Sequence, residues 1–168
     1  MAKAARTQKT NAMRELERAG IAFTVLEYEA EEGTPESGYG VHVAELLGQD
    51  PASSFKTLVT VTPAGGHVVC CIPSPDELDL KKAAAAAGEK SLAMLPLREL
   101  EAVTGYIRGG CTPVGMKKRF PVLIDETAEL FDEISISGGR RGLSLVLAPG
   151  ELAAFTQATL ADITRMGA

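Results

Sequence analysis

The sequence predicts a single α/β domain, a mixed sheet with helices packed around it, and three observations lead there. Runs with helical spacing and short β-branched runs both occur along the chain. The 168 residues (17.6 kDa) suit one compact unit. A hydrophobic fraction of 45% supplies a core without disulfide or metal staples. Aromatics make up 5% and Trp is absent, so that core should be aliphatic and alanine-rich.

The elements follow in order. Residues 1–9 are polar and rich in Ala and Lys, and read as a flexible segment ahead of a domain spanning 10–168. Ala12, Met13, Leu16 and Ala19 recur at helical spacing from Thr10 onward, and Gly20 supplies the stop. Ile21 to Tyr28 alternates and carries β-branched and aromatic residues, a strand pattern. Glu29 to Gly40 is acidic and rich in Gly, Pro and Ser, hence a loop, and Val41 to Leu47 is a short helix closed by Gly48. Phe55 to Thr62 and His67 to Ile72 form a hairpin across the turn at Pro63 to Gly66. Asp79 caps a helix from Leu80 to Ala87, with Gly88 beyond its end. A second short helix spans Pro96 to Ala102. Val122 to Asp125, Ile134 to Ser137 and Leu143 to Leu147 read as strands, and a final helix is expected from Glu151 to about Met166.

Charge and cysteine usage narrow the function. The net charge is −5 and the pI about 5.1, unlike a generic nucleic-acid binder, which is usually basic. Any contact with nucleic acid must come from clustered cations or be shared with a partner. The three cysteines, Cys70, Cys71 and Cys111, form no Cys-x-x-Cys and no His/Cys ligand spacing, so neither a metal site nor a disulfide framework is indicated. No apolar run suits a membrane span or a signal peptide, and a reducing cytoplasm is the expected compartment. No P-loop or dinucleotide fingerprint is present.

Four segments carry candidate chemistry. Phe55-Lys56-Thr57-Leu58 places a lysine among apolar residues at a strand start. Lys56 is either a strand-edge lysine with its head in water or a cation positioned for a phosphate or a developing oxyanion. Gly105 to Gly115 holds four glycines in eleven residues, so its backbone can approach a ligand and its amides can form an anion-binding nest. Met116-Lys117-Lys118-Arg119 follows at once. Ser137-Gly138-Gly139-Arg140-Arg141-Gly142-Leu143 again joins a glycine turn to cations; it is a solvated hairpin turn or part of a local positive surface. Leu78-Asp79-Leu80-Lys81-Lys82 reads as an ordinary capped helix start. No Ser/His/Asp or Cys/His constellation is evident, and His42 and His67 are the only histidines.

Taken together, the four segments resemble the YbaK/EbsC family of aminoacyl-tRNA deacylases. That family carries Phe/Tyr-Lys-Thr-Leu, then Leu-Lys-Lys, then Thr-Gly-Tyr-x-x-Gly-Gly-x-x-Pro-x-Gly-x-Lys-Lys-Arg, then Ser-Gly-Gly-x-Arg-Gly-Leu. All are present here in order and at similar spacing, from roughly Thr10 to Met166. The resemblance implies a partly barrel-like mixed sheet surrounded by helices, and trans-editing of mischarged tRNA, first of all Cys-tRNA(Pro), with Ala-tRNA(Pro) as the alternative. It implies no cofactor. It places Lys56, Gly109 and Gly110 at the reacting ester. It places Tyr28, Thr57, Pro113, Ser137, Gly138, Gly139 and Ser144 around the substrate. The implied chemistry is substrate-assisted: the cysteine thiol attacks its own ester while the enzyme holds the geometry. Mischarged tRNA(Pro) is the implied partner, and the acidic balance suggests that prolyl-tRNA synthetase shares its selection; neither DNA nor a membrane is expected.

Two departures stand beside the likeness. Cys111 occupies a position where the family usually has Ile, either as a small apolar filler or as a pocket residue. The acidic loop from Glu29 to Gly40 is long and charged for the family. The rival reading is a non-catalytic module that binds a tRNA end or a synthetase; it predicts the same cationic rim without turnover. A phosphate-binding regulatory domain built on the glycine turns is a third and weaker reading.

Overall fold

The computed structural model describes residues 8–29 and 39–165. The first helix, α1 (Asn11–Arg18), begins where Thr10 caps it by accepting from the Met13 N–H at 3.2 Å. Its Ala12, Met13 and Leu16 are buried. The Thr10 hydroxyl donates to the Gly138 carbonyl at 2.6 Å, so the cap also ties α1 to the Ser-Gly-Gly turn. Residues 1–7 of the segment expected to be flexible lie outside the described residues, whereas Lys9 pairs with Glu17 at 2.9 Å on the surface.

After β1 (Thr24–Glu27) come α2 (Tyr39–Leu46), a 3-10 turn at Pro51–Ser53, then the hairpin β2 (Phe55–Val61) and β3 (His67–Pro73). Residues 30–38 of the expected acidic loop are outside the described residues. Next are β4 (Glu77–Leu78), α3 (Leu80–Ala87), β5 (Ala93–Met94) and α4 (Leu100–Thr104). Asp79 caps α3 through the N–H groups of Lys81 and Lys82, and Gly88 ends it in the left-handed region. The chain continues through β6 (Val122–Asp125), β7 (Ile134–Ser137), β8 (Leu143–Leu147), α5 (Pro149–Thr156), β9 (Thr159–Ala161) and β10 (Thr164–Arg165).

The strands form a mixed sheet of order β5-β2-β3-β6-β9, a three-stranded antiparallel sheet β1-β8-β7, and the small pair β10-β4. In the five-stranded sheet β5, β2 and β3 are antiparallel, whereas β3, β6 and β9 run parallel. A parallel bridge between Ser54 and Ser135 links the two larger sheets.

The side-chain period of two then divides the core. Val69 and Cys71 of β3, with Val122 and Ile124 of β6, face the three-stranded sheet and α1. Val68, Cys70 and Ile72, with Leu123, face Ala83 and Ala84 of α3 and Ile163. Both faces of β3 are covered, which is why its sequence is a continuous apolar run rather than an alternation. Cys70 and Cys71 lie on opposite faces, as adjacent strand residues must, and both thiols are free.

One expectation is corrected. The final helix ends at Thr156 and does not reach Met166. Gln157 takes a left-handed φ of 56° and breaks the helix; Thr159 to Ala161 then pairs parallel with β6, and Thr164 to Arg165 with β4. Pairing with the exposed edge of β6 wins over continued helix, in a stretch whose Thr159, Ile163 and Thr164 are β-branched. No helix among the described residues is long and apolar enough to cross a membrane.

Candidate active site

Three of the four segments read as candidate chemistry converge on one cavity of about 290 Å3, at the lower end of ligand-site volumes. Its walls are the start of β2, the first turn of α2, the glycine-rich loop and the β7–β8 hairpin. Of the residues expected at the site, Lys56, Gly109, Tyr28, Thr57, Ser137 and Ser144 line it. Ser137 and Ser144 face each other in the β7–β8 register.

Lys56 is a half-buried cation in the wall of this cavity. Burial lowers its pKa from the ordinary 10.5, while the carboxylates of Asp76 and Glu77 pull the other way. No carboxylate among the described residues forms an ion pair with it. An ammonium held in this way is an open site for an anion or a developing negative charge.

The glycine loop is held by side-chain hydroxyls. Tyr106 donates to the Val114 carbonyl at 2.7 Å, and Ser137 donates to the Gly109 carbonyl at 3.2 Å. The Gly139 N–H donates back to the Ser137 hydroxyl at 3.3 Å. Gly109 sits at φ +85°, in the left-handed region.

The remaining expected residues stand behind the wall and do not line the cavity. The Gly110 N–H is taken by the Ile107 carbonyl at 3.0 Å, so it closes a turn. What requires glycine at 110 is the backbone of Arg140: a Cβ would lie 2.8 Å from its Cα. Gly138 packs under Leu143, and Gly139 against Thr10 and Tyr106. Pro113 lines a second cleft with Lys118, Arg119, Phe120 and Phe155.

Several cavity residues carry no signal in the sequence. Tyr39 fell within the expected loop, but α2 begins there and its hydroxyl meets that of Tyr28 at 2.8 Å. Burial, reinforced by that bond, raises the Tyr28 pKa well above the phenol range, so Tyr28 stays protonated. Gly40 admits Ser74 so closely that a Cβ would collide with its hydroxyl, and Ser74 in turn meets Ser54 at 3.2 Å. Arg108 and Arg141 also line the cavity; both lie inside segments already singled out, where only the cluster of charge was legible. Cys111 faces the cavity while remaining buried, and burial pushes its thiol up to about 12.

The described residues lining the cavity include neither histidine nor carboxylate. His67 packs edge-on against Phe120, away from this site. Among the described residues no three His, Cys, Asp or Glu side chains converge as metal ligands would.

Comparison with known proteins agrees with this architecture. Residues 39–155 match the aminoacyl-tRNA editing domain family. EbsC of Enterococcus faecalis, named for Cys-tRNA(Pro)/Cys-tRNA(Cys) deacylase activity, is 46% identical over 166 residues, covering 98% of each chain. A crystal structure described as a trans-editing enzyme for prolyl-tRNA synthetase superposes with a TM-score of 0.80 at 28% identity, over 95% of this chain and 99% of that one. The hypothetical protein APE2540 shares the fold, with a TM-score of 0.81 at 24% identity over 93% of this chain and 100% of that one. Matched over most of its length by the family and over nearly all of it by a relative of this identity, the chain belongs to the aminoacyl-tRNA editing domain family.

Proposed function

We propose that the protein is a trans-editing deacylase that removes cysteine from Cys-tRNA(Pro), with the substrate thiol as the nucleophile. The carrying observation is the composition of the cavity: a desolvated lysine, hydroxyls and a glycine wall, with no histidine or carboxylate among the described lining residues. Among the described lining residues a protein serine finds no histidine or carboxylate to act as its general base, and the Cys111 thiol, pushed up to about 12, is not a thiolate at neutral pH.

Substrate-assisted cleavage needs neither. The cysteine sulfur attacks the ester carbonyl carbon, forming a C–S bond and breaking the C–O bond to the terminal ribose. The thiol proton ends on the released ribose hydroxyl, and water opens the strained thioester to free cysteine. The protein supplies orientation, an effect of about 7–11 kcal/mol in well-aligned intramolecular reactions. Lys56 steadies the ribose and ester oxygens of the 3′ end. The Gly109 N–H, which makes no backbone hydrogen bond among the described residues, lies at the wall where a carbonyl oxygen would gain charge. Editing of this kind serves where one pocket cannot sort side chains of similar size.

Selection of tRNA(Pro), shared with prolyl-tRNA synthetase, is part of the same reading. The net charge of −5 leaves little non-specific grip on nucleic acid, and the relatives are named for tRNA(Pro) and prolyl-tRNA synthetase. Because the relative from Enterococcus is also named for Cys-tRNA(Cys), both tRNAs belong in the assay.

The direct test of the chemistry compares tRNA(Pro) carrying cysteine with tRNA(Pro) carrying S-methylcysteine. Release of cysteine at least about 100-fold faster is expected, since the methyl group removes the attacking thiol. Equal rates would assign the attack to water or to the protein. Cys111→Ala should keep turnover within about threefold, because a buried neutral thiol supplies no nucleophile; loss of turnover in a folded variant would place Cys111 in the chemistry.

A further inference from the structure

We propose that Arg141 is the phosphate-binding residue of this cavity: its guanidinium takes the phosphodiester joining the last two nucleotides of the tRNA and so positions the terminal ester beside Lys56. The inference rests on the deacylase reading for the identity of its ligand.

The side chain is half-buried and built into the wall. It lies across Gly109, where a Cβ would be 3.0 Å from its Cγ and 3.2 Å from its Nη1. Its guanidinium carbon stands 4.3 Å from the centre of the Tyr39 ring, and Tyr39 is fixed by Tyr28. Glycine at 109 suits the left-handed turn and lets Arg141 pass close over it.

Among the described residues the guanidinium has no anionic partner. The ion pairs formed among the described residues involve Lys9, Lys82 and Arg165, and no carboxylate among those residues pairs with Arg141. Stacking on Tyr39 engages its face and leaves its fork of N–H donors for an acceptor. A half-buried, pre-oriented fork with no carboxylate suits a phosphate, which it can bind in bidentate fashion.

The substrate's chemistry selects which phosphate. In an aminoacyl ester the amino acid carboxyl carries no charge, and its ammonium would be repelled by Arg141. The anion nearest the ester is the phosphodiester on the 5′ side of the terminal nucleotide. With Arg141 on that group, Lys56 is left for the ribose and carbonyl oxygens.

The test uses uncharged acceptor-stem RNA ending in CCA, and the same RNA with a neutral methylphosphonate at its last linkage, bound to the full protein and followed by fluorescence anisotropy. For the wild type, the neutral linkage should weaken binding about tenfold, the scale of one lost charge-assisted contact. Arg141→Gln should weaken binding of the normal RNA by a similar factor and show no further loss with the methylphosphonate. Independent, multiplying losses, or no loss from the methylphosphonate in the wild type, would overturn the proposal. The RNA-side change needs no variant, so the result stands even if Arg141→Gln is unstable. Cysteine release is measured on the same preparations. Protein that binds through this contact but releases no cysteine would overturn the deacylase reading alone. Protein that edits equally well with either linkage would overturn the Arg141 assignment alone.

Discussion

Replacing Lys56 with methionine should lower kcat/KM for Cys-tRNA(Pro) by about 10²–10³, the range for loss of one preorganised charge at a reacting ester, without lowering the melting temperature. The two halves have one cause. Burial depresses the Lys56 pKa from 10.5, so the folded protein holds that proton less tightly than the unfolded chain. In the window just below 10.5 the unfolded chain binds more protons, and stability rises with pH through it. At neutral pH both states are charged, and the partly buried charge weighs against folding. Methionine, of similar length and apolar, removes that charge from the wall and should leave thermal unfolding at pH 7 unchanged or shift it upward. That pair of results would mark Lys56 as a residue kept for chemistry rather than for stability. A folded Lys56→Met variant with near-normal turnover would contradict this, and a fall of several degrees in melting temperature would show that Lys56 holds the fold together.

Gly110→Ala should do the opposite, damaging structure first and activity through it. An added Cβ meets only backbone: Arg140 Cα at 2.8 Å, Arg140 N at 3.1 Å and Gly139 C at 3.2 Å. No side chain can rotate away, so the glycine loop and the β7–β8 hairpin must separate. Such overpacking costs about 1–3 kcal/mol. The separation would also carry Ser137 from the Gly109 carbonyl and Arg141 from the wall, so editing should fall with stability. Thermal unfolding and cysteine release measured together check this. Full activity with an unchanged melting temperature would mean that the loop and hairpin are less tightly apposed than 2.8 Å implies.

These two residues show what the sequence could and could not carry. Short-range signals were legible: the apolar spacing from Thr10 marks α1, Asp79 caps α3, Gly88 ends it, and the β2–β3 hairpin stands where its β-branched runs and turn place it. Two-residue strands such as β4 and β5 leave too little pattern to read, and β9 exists because the edge of β6 was open, which is a tertiary fact. Lys56 and Gly109 were reachable because a charge in an apolar run and a cluster of glycines are anomalies in sequence. Tyr39 and Ser74 were not, since a tyrosine beside a loop and a serine between prolines are ordinary until the fold brings them to one wall. Gly110 was legible as a glycine that matters, but its reason, a backbone 2.8 Å from a prospective Cβ, exists only in three dimensions.

Hydrolysis of mischarged tRNA(Pro) in this cavity is the activity on which every role proposed above depends. Its most direct test is deacylation by the wild-type protein of Cys-tRNA(Pro), Ala-tRNA(Pro) and Pro-tRNA(Pro) in parallel, with Cys-tRNA(Cys) alongside. Rapid release of cysteine from tRNA(Pro), with Pro-tRNA(Pro) spared, is the expected result. Release from none of the four, by folded protein that still binds acceptor-stem RNA, would contradict it and leave a binding module in place of an enzyme.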